Sequence, residues 1–209
     1  MIKLVCFDID GVIFKDINFW LELHEKFGTL EKGKELTRKY LHTDYDKLVE
    51  EVVVKLWKGK DAKLYFELVN SLEYLPGIKK VFSHIKQKRY QTALISASSI
   101  EVARRIDRDF GVDHIFANEL VIKNGKVSGE FIWPIGAGNE KKAEIMKHLC
   151  QDLGIDLIDV AYIGDSETDI EAFKIVGTSI AFNSKSEKLK KVAKYIIDEN
   201  DLSKIIPYI

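Results

Sequence analysis

Ile2-Lys3-Leu4-Val5-Cys6-Phe7-Asp8-Ile9-Asp10-Gly11-Val12 passes from a nearly unbroken apolar run straight into two carboxylates and a glycine. An apolar run this short predicts a strand buried on both faces of a parallel sheet. It also sets Asp8 and Asp10 just past the strand's carboxyl end, where open α/β folds bind ligands. The pattern returns at 92–95, 160–163 and 179–182. Between these runs lie stripes of helical period: Ile78, Val81, Phe82 and Ile85; then Ile100, Ala103, Ile106 and Phe110; then Ile145, Met146, Leu149 and Leu153. Strand and helix alternate, which predicts an α/β fold, a Rossmann-like, mainly parallel sheet flanked by helices and joined by right-handed crossovers.

Two stretches break the alternation. From Lys15 to Leu75 no strand pattern is found, while Phe19, Leu23 and Phe27 recur every four residues, and Leu48, Val49, Val52, Val53, Leu56 and Trp57 form a second helical stripe despite the β-branched valines. The expected organisation is a core of residues 1–14 and 76–209 with a small helical insertion, 15–75, placed after the first strand; Pro76-Gly77 marks the return. The second break is 119–131, where apolar runs flank Asn124-Gly125, a type I′ hairpin signal.

With 209 residues, the chain is long enough to bury a core without disulfides or a structural metal. Cys6 and Cys150 lack metal or CxxC spacing and read as buried thiols in a reducing compartment. Lys and Arg total 32 against 33 Asp and Glu, a net charge of −1 that argues against nucleic acid as the partner. No apolar run reaches the roughly 18 residues of a membrane span, and 1–7 is too short for a signal peptide. The expectation is a cytoplasmic protein with no membrane partner. His24, His42, His84, His114 and His148 lie on separate segments without metal-ligand spacing.

Asp8 and Asp10 repel each other unless a cation or a shared proton offsets the cost. Mg²⁺ suits them, since it takes oxygen ligands and keeps several waters; a solvated acidic turn closed by Gly11 is the simpler alternative. A second acidic cluster, Gly164-Asp165-Ser166-Glu167-Thr168-Asp169, follows another apolar strand. Helix capping accounts for any single residue of it, but not for two acidic clusters at equivalent strand ends. Ser96 ends the 92–95 run, where its hydroxyl and the following N–H groups at a helix start can hold an anion or cap the helix. Lys142, beside Lys141 near the start of the Ile145 helix, offers a fixed positive charge or belongs to a solvated face.

The order DxDGV, a strand-ending Ser, Lys and GDxxxD resembles the haloacid dehalogenase superfamily of phosphohydrolases over nearly the whole chain, most of all its phosphoserine phosphatase-like members. Those members share a hairpin like that from Phe116-Ala117-Asn118-Glu119-Leu120 to Gly129, a stretch like Lys142-Ala143-Glu144-Ile145 and an ending like Ile180-Ala181-Phe182-Asn183. The resemblance implies a phosphatase acting on a small phosphorylated metabolite through a phosphoaspartyl intermediate, with the helical insertion as a cap. It implies Asp8 as nucleophile, Asp10 as general acid and base, and Ser96, Ala97 and Lys142 as phosphate binders. It implies Mg²⁺ held by Asp8, Asp165 and the backbone carbonyl of Asp10, with Asp169 supporting the metal or Lys142 from behind. The same chemistry admits a phosphomutase, and a non-enzymatic phospho-ligand scaffold is the reading from another class.

Phosphoserine phosphatase-like members recognise the amino acid with a glutamate after the first motif and an arginine in the cap. Their register puts Ile17 and Val52 near those positions, and an apolar residue cannot pair with ammonium or carboxylate. Lys15, Asp16 or Arg38 are the charged candidates to substitute. Asn18, Trp20 and His24 are close enough to the first motif to reach a substrate or to serve as hinge and cap core. Phe19 and Trp20 are placed to exclude water. The expected substrate is a small phosphomonoester other than phosphoserine.

Overall fold

The computed structural model describes residues 1–15 and 17–209, so Asp16 lies outside the described residues. After β1 (Leu4–Phe7) come α1 (Phe19–Lys26), α2 (Leu30–Tyr40), α3 (Tyr45–Val49), which runs directly into a π-helix (Glu50–Trp57), and α4 (Lys63–Ser71). The chain then alternates: α5 (Ile78–Lys88), β2 (Gln91–Ser99), α6 (Ile100–Phe110), the hairpin β3 (His114–Lys123) and β4 (Lys126–Ile132), α7 (Glu140–Leu153), β5 (Val160–Gly164), α8 (Ile170–Ile175), β6 (Thr178–Phe182), α9 (Glu187–Val192) and β7 (Tyr195–Ile197). The seven strands form one sheet in the order β4-β3-β2-β1-β5-β6-β7, parallel except for β4. The expected α/β architecture with helices inserted after the first strand is therefore borne out.

Alternation along the central strands splits the core into two layers. Val5 and Phe7 pack with Leu94, Ala161 and Ile163 against the stripe of α5 and against Val102, Ala103 and Ile106 of α6. Leu4 and Cys6 face the other way and pack with Met146, Leu149 and Cys150 of α7 and Phe173 of α8. Both cysteines are free and buried, as their surroundings predicted. At the hairpin, Asn124 and Gly125 both take positive φ, 51° and 73°, as a type I′ turn requires.

The register explains why the acidic clusters meet. Phe7 stands opposite Leu94 of β2 on one side and Ile163 of β5 on the other, so the residues that follow leave the sheet together at its carboxyl edge. The chain runs from β1 through β2 to β3 on one side and crosses later to β5 on the other, so β1 and β5 flank the point where strand order reverses.

In the inserted helices, Leu48, Val52, Val53 and Trp57 are buried while Val54 is 41% exposed. The stripe holds across a change of winding: the Lys58 N–H bonds Val53 O at 2.9 Å, five residues back, so the wider turn takes in one residue more than an α-helix does. His24 of α1 is buried against the Trp57 ring, 4.5 Å between centroids, and its Nδ1 is 2.8 Å from Thr29 Oγ1. Gly33 permits α2 to lie against it, because a Cβ there would be 2.5 Å from three atoms of the imidazole.

Burial lowers the His24 pKa to about 4. Below the ordinary value near 6.5 the unfolded chain binds a proton that the folded one refuses. The contribution is therefore complete above pH 6.5 and is lost as pH falls toward 4. Urea unfolding is expected to show wild type losing roughly 1 to 3 kcal/mol more than His24→Gln between pH 7 and pH 4.5. Parallel losses in the two proteins would show that His24 does not titrate this way.

Candidate active site

Asp8 is the first residue beyond β1, anchored by its N–H to Ile163 O at 2.9 Å. Its carboxylate accepts the Ile9 N–H on Oδ1 at 2.6 Å and the Lys142 ammonium on Oδ2 at 2.5 Å. Beyond it the chain makes a tight turn, with Ile13 N–H on Ile9 O at 2.9 Å and Gly11 N–H on Phe14 O at 2.8 Å. Gly11 is required there on two counts. Its φ is +76°, and a Cβ would come within 2.1 Å of Asp165 Oδ2.

Lys142 and Lys141 separate cleanly. Lys142, on the inner face of α7, is fully buried and bridges Asp8 and Asp169, its Nζ 2.5 Å and 2.6 Å from their oxygens. Lys141 is exposed and pairs with Glu144 at 2.6 Å. Burial opposes the charge on Lys142, but Asp169 and Asp8 outweigh it and hold the amine protonated, with its pKa raised.

Asp169 is saturated. Its Oδ1 takes Lys142 and the Tyr162 hydroxyl, the latter at 2.8 Å, and its Oδ2 takes the Asp165 and Ser166 N–H groups, each at 3.1 Å. Gly164 makes room, since a Cβ there would be 2.5 Å from the Asp169 carboxyl. Asp169 thus orients Lys142 and closes the turn that carries Asp165. The capping role that Asp165 or Thr168 was open to belongs to Ser166 and Asp169.

Asp165 differs, because among the described residues its carboxylate accepts no hydrogen bond. Burial, then the charges of Asp8 and Asp169, raise its pKa to about 8. Carboxylate oxygens of Asp8, Asp165 and Asp169 lie within 4.8 Å of one another. Three acids this close, with Lys142 already shared by two of them, leave negative charge that a divalent cation would offset. All-oxygen donors and a surplus carboxylate fit Mg²⁺.

Asp10 is half-buried at the mouth of the turn, with its Oδ1 enclosed. Its Oδ2 accepts the Phe19 N–H at 2.8 Å, and its Oδ1 has no partner among the described residues. Burial raises its pKa to about 7, the Phe19 bond opposing and Asp8 adding to the rise. A carboxyl held half protonated near neutrality, with one oxygen uncommitted, can give and take a proton.

Ser96 requires a correction. The sequence places it at the end of a strand with a helix following, but β2 continues to Ser99, and Ser99 is the residue that caps α6, accepting the Glu101 N–H at 3.2 Å. Pairing with β3 loses register between Ile95 and Ser99, so 96–98 bend out of the ladder while remaining in the strand. The helix stripe could not reveal this, because a bulge and a strand end look alike in an apolar run followed by serines. Ser96 Oγ accepts the Ser98 N–H at 3.1 Å, and Ser98 Oγ is buried without a partner among the described residues.

Trp20 and Asn118 hold this segment, and Tyr162 stands behind the site, in roles that sequence reasoning missed. The Trp20 indole N–H donates to Ala97 O at 2.7 Å and so ties α1 to the bulge. Asn118, fully buried in β3, donates to Ala97 O at 3.1 Å and Gly136 O at 2.9 Å, and accepts from Gly136 N at 3.1 Å. Tyr162 orients Asp169. Substrate contact or packing as roles for Trp20 do not include this bond; for Tyr162 the available signal is a hydroxyl inside a strand that is otherwise apolar, whereas Asn118 shares β3 with His114, Glu119 and Lys123 and lacks that contrast.

Of the other candidates, Asn18 caps α1, its Oδ1 accepting Leu21 N–H at 3.2 Å, and Phe19 is fully buried. Lys15 and Arg38 are exposed. Asp8, Asp10, Ser96, Ala97, Lys142 and Asp165 line one cavity of about 300 Å³, which the inserted helices close from above.

Residues 2–177 match the family model described as haloacid dehalogenase-like hydrolase. The phosphoserine phosphatase of Methanocaldococcus jannaschii is 27% identical over 99% of this chain and 97% of its own. That of Archaeoglobus fulgidus is 28% identical over 96% of this chain, which spans 58% of that longer protein. A solved structure described as a phospho-aspartyl intermediate analogue of phosphoserine phosphatase superposes with a TM-score of 0.85 at 27% identity, covering 100% of this chain and 99% of that one.

Proposed function

The chain belongs to the haloacid dehalogenase-like hydrolase family, and we propose that it is a Mg²⁺-dependent phosphatase that frees phosphate from a small phosphomonoester by way of an aspartyl phosphate on Asp8. The observation that carries this reading is the buried Asp8–Lys142–Asp169 chain with the Asp165 carboxylate, unpartnered among the described residues, beside it. It is reinforced by relatives that are phosphatases and by a structural neighbour described as a phospho-aspartyl analogue.

Each residue's chemistry follows from its surroundings. Asp8 attacks phosphorus and the bond to the alcohol oxygen breaks; Asp10, with its free Oδ1, gives that oxygen a proton. In the second step a water attacks the aspartyl phosphate, Asp10 takes its proton, and phosphate leaves with Asp8 restored. Lys142 neutralises the phosphoryl oxygens as they approach the carboxylate, which the repulsion between two anions would otherwise prevent. Ser96 and the Ala97 backbone bind the same oxygens. Asp8, Asp165 and the Asp10 carbonyl would hold Mg²⁺. When bound, the ion supplies charge neutralisation at the phosphoryl group.

Residues 15–75 act as a cap on the core of 1–14 and 76–209. Water as acceptor is favoured over a sugar, as in a mutase, because the family and the relatives are hydrolases. No helix among the described residues is long and apolar enough to cross a membrane, and two buried free thiols support a reducing, cytoplasmic setting. The partner is a small phosphorylated metabolite, with no nucleic acid.

p-Nitrophenyl phosphate hydrolysis is the direct test. Phosphate release is expected in Mg²⁺, to vanish in EDTA and to return when Mg²⁺ is restored in excess. Turnover undiminished by exhaustive chelation would remove the metal from this account, and no release from any phosphoester would favour a scaffold.

A further inference from the structure

Charge in the cavity is confined to one end. Among the described residues that line it, the formally charged ones are Asp8, Asp10, Lys142 and Asp165, all at the floor where phosphate chemistry would occur. The wall above is built from Ile17 ahead of α1, Leu21 of α1, Leu48 and Val49 of α3, Val52 of the π-helix and Phe131 of β4. His24 also reaches the wall, and burial keeps it neutral at physiological pH. Thr37 and Tyr45 contribute hydroxyl-bearing side chains, which tolerate a hydroxyl or ether but offer no counter-charge.

The geometry points to a substrate whose phosphate is esterified to an uncharged, mainly apolar alcohol about the size of a benzyl or hexyl group, an inference that rests on the phosphatase reading above. Two arguments carry it. An ammonium or carboxylate carried into this wall would lose its water and find no opposite charge, whereas an apolar chain gains by leaving water. The size follows from volume: an apolar cavity of about 150 Å³ accepts benzene, so about 300 Å³ holds a phosphoryl group and one ring-sized apolar group. The floor's own charges are committed. Lys142 is shared by Asp8 and Asp169, so it cannot also pair with a substrate carboxylate while it neutralises phosphate.

The π-helix suits this use. As α3 does with Leu48 and Val49, it sets two adjacent side chains, the β-branched Val52 and Val53, in the wall. Both are stiff at χ1, which makes the wall rigid.

The test measures kcat/KM in Mg²⁺ for methyl, butyl, hexyl and benzyl phosphates beside L-phosphoserine and phosphoethanolamine. Each methylene up to the cavity's limit is expected to raise kcat/KM about fourfold, and benzyl or hexyl phosphate is expected to exceed L-phosphoserine by about 100-fold or more. L-Phosphoserine turned over as well as the apolar esters would overturn the inference and leave the phosphatase reading standing. If nothing is hydrolysed, p-nitrophenyl phosphate included, the phosphatase reading fails. The cavity is then judged by calorimetric binding to the wild-type protein. Benzylphosphonate binding at least tenfold more tightly than L-phosphoserine supports the apolar wall, and equal or weaker binding overturns it.

Discussion

Asp8→Asn is expected to reduce phosphate release by on the order of 10⁴-fold or more, the scale on which removal of a nucleophile is felt, while leaving the protein folded with its unfolding free energy changed by less than about 1.5 kcal/mol. The two halves have separate causes. An amide oxygen does not attack phosphorus, so the step that forms the aspartyl phosphate is lost outright. The small change in stability is a balance. Burial holds the Asp8 carboxyl above its ordinary pKa, with Lys142 pulling it back and Asp169 pushing it up again, so the ionised form is costly where it stands. Replacing it with a neutral group of the same shape removes that cost and the repulsion from Asp165 and Asp169. Against this, Asn has one acceptor where Asp8 uses two, for Ile9 N–H and for Lys142, so one of those donors goes unmet. Phosphate release under saturating p-nitrophenyl phosphate and urea unfolding measure the two quantities independently. A residual rate within tenfold of wild type would place the nucleophile elsewhere.

The sequence made the core legible because its signals there are local. The apolar runs at 2–7 and 160–163 ended in carboxylates, and burial on both faces left no freedom about which edge those carboxylates would reach. Asn124-Gly125 determined its turn from two residues alone. What the residues by themselves leave open, the resemblance aside, is decided at long range. Lys141 and Lys142 are neighbours with the same chemistry, and only the approach of α7 to β1 and β5 makes one a surface ion pair and the other the centre of the site. The clamp of Asn118 on Ala97 and Gly136 joins three segments, none of which announces the others. β7 is three residues long at the sheet edge, too short for a period to register. The π winding at 50–57 left its apolar stripe visible but not its pitch, since a spacing of four or five residues satisfies both helices. Ser96 reads as a strand end at a helix start because the apolar run stops at Ile95, and the bulge within β2 moves the cap three residues on, to Ser99.

Lys142→Met cuts the same ion pair from its other end, and the outcome is expected to be unlike that of Asp8→Asn. It removes the ammonium that two buried carboxylates share, at 2.5 Å and 2.6 Å, and leaves Asp8, Asp165 and Asp169 close together without it. Activity should fall together with stability, the latter by about 3 to 5 kcal/mol at pH 8, the usual cost of stranding a buried charge. The loss should shrink as pH falls, because Asp8 and Asp165, whose pKa values burial raises above those of the unfolded chain, regain a proton in the native state first. Urea midpoints at pH 8 and pH 5.5 measure the difference. Combining the variants isolates the cause. Asp8→Asn with Lys142→Met removes one of the stranded anions, so the double variant should be more stable than Lys142→Met alone, a coupling of about 1 to 3 kcal/mol that contact packing by itself does not generate. Additive losses would mean that Lys142 stabilises the core through its aliphatic stem rather than through its charge, and the electrostatic basis of the site would have to be given up.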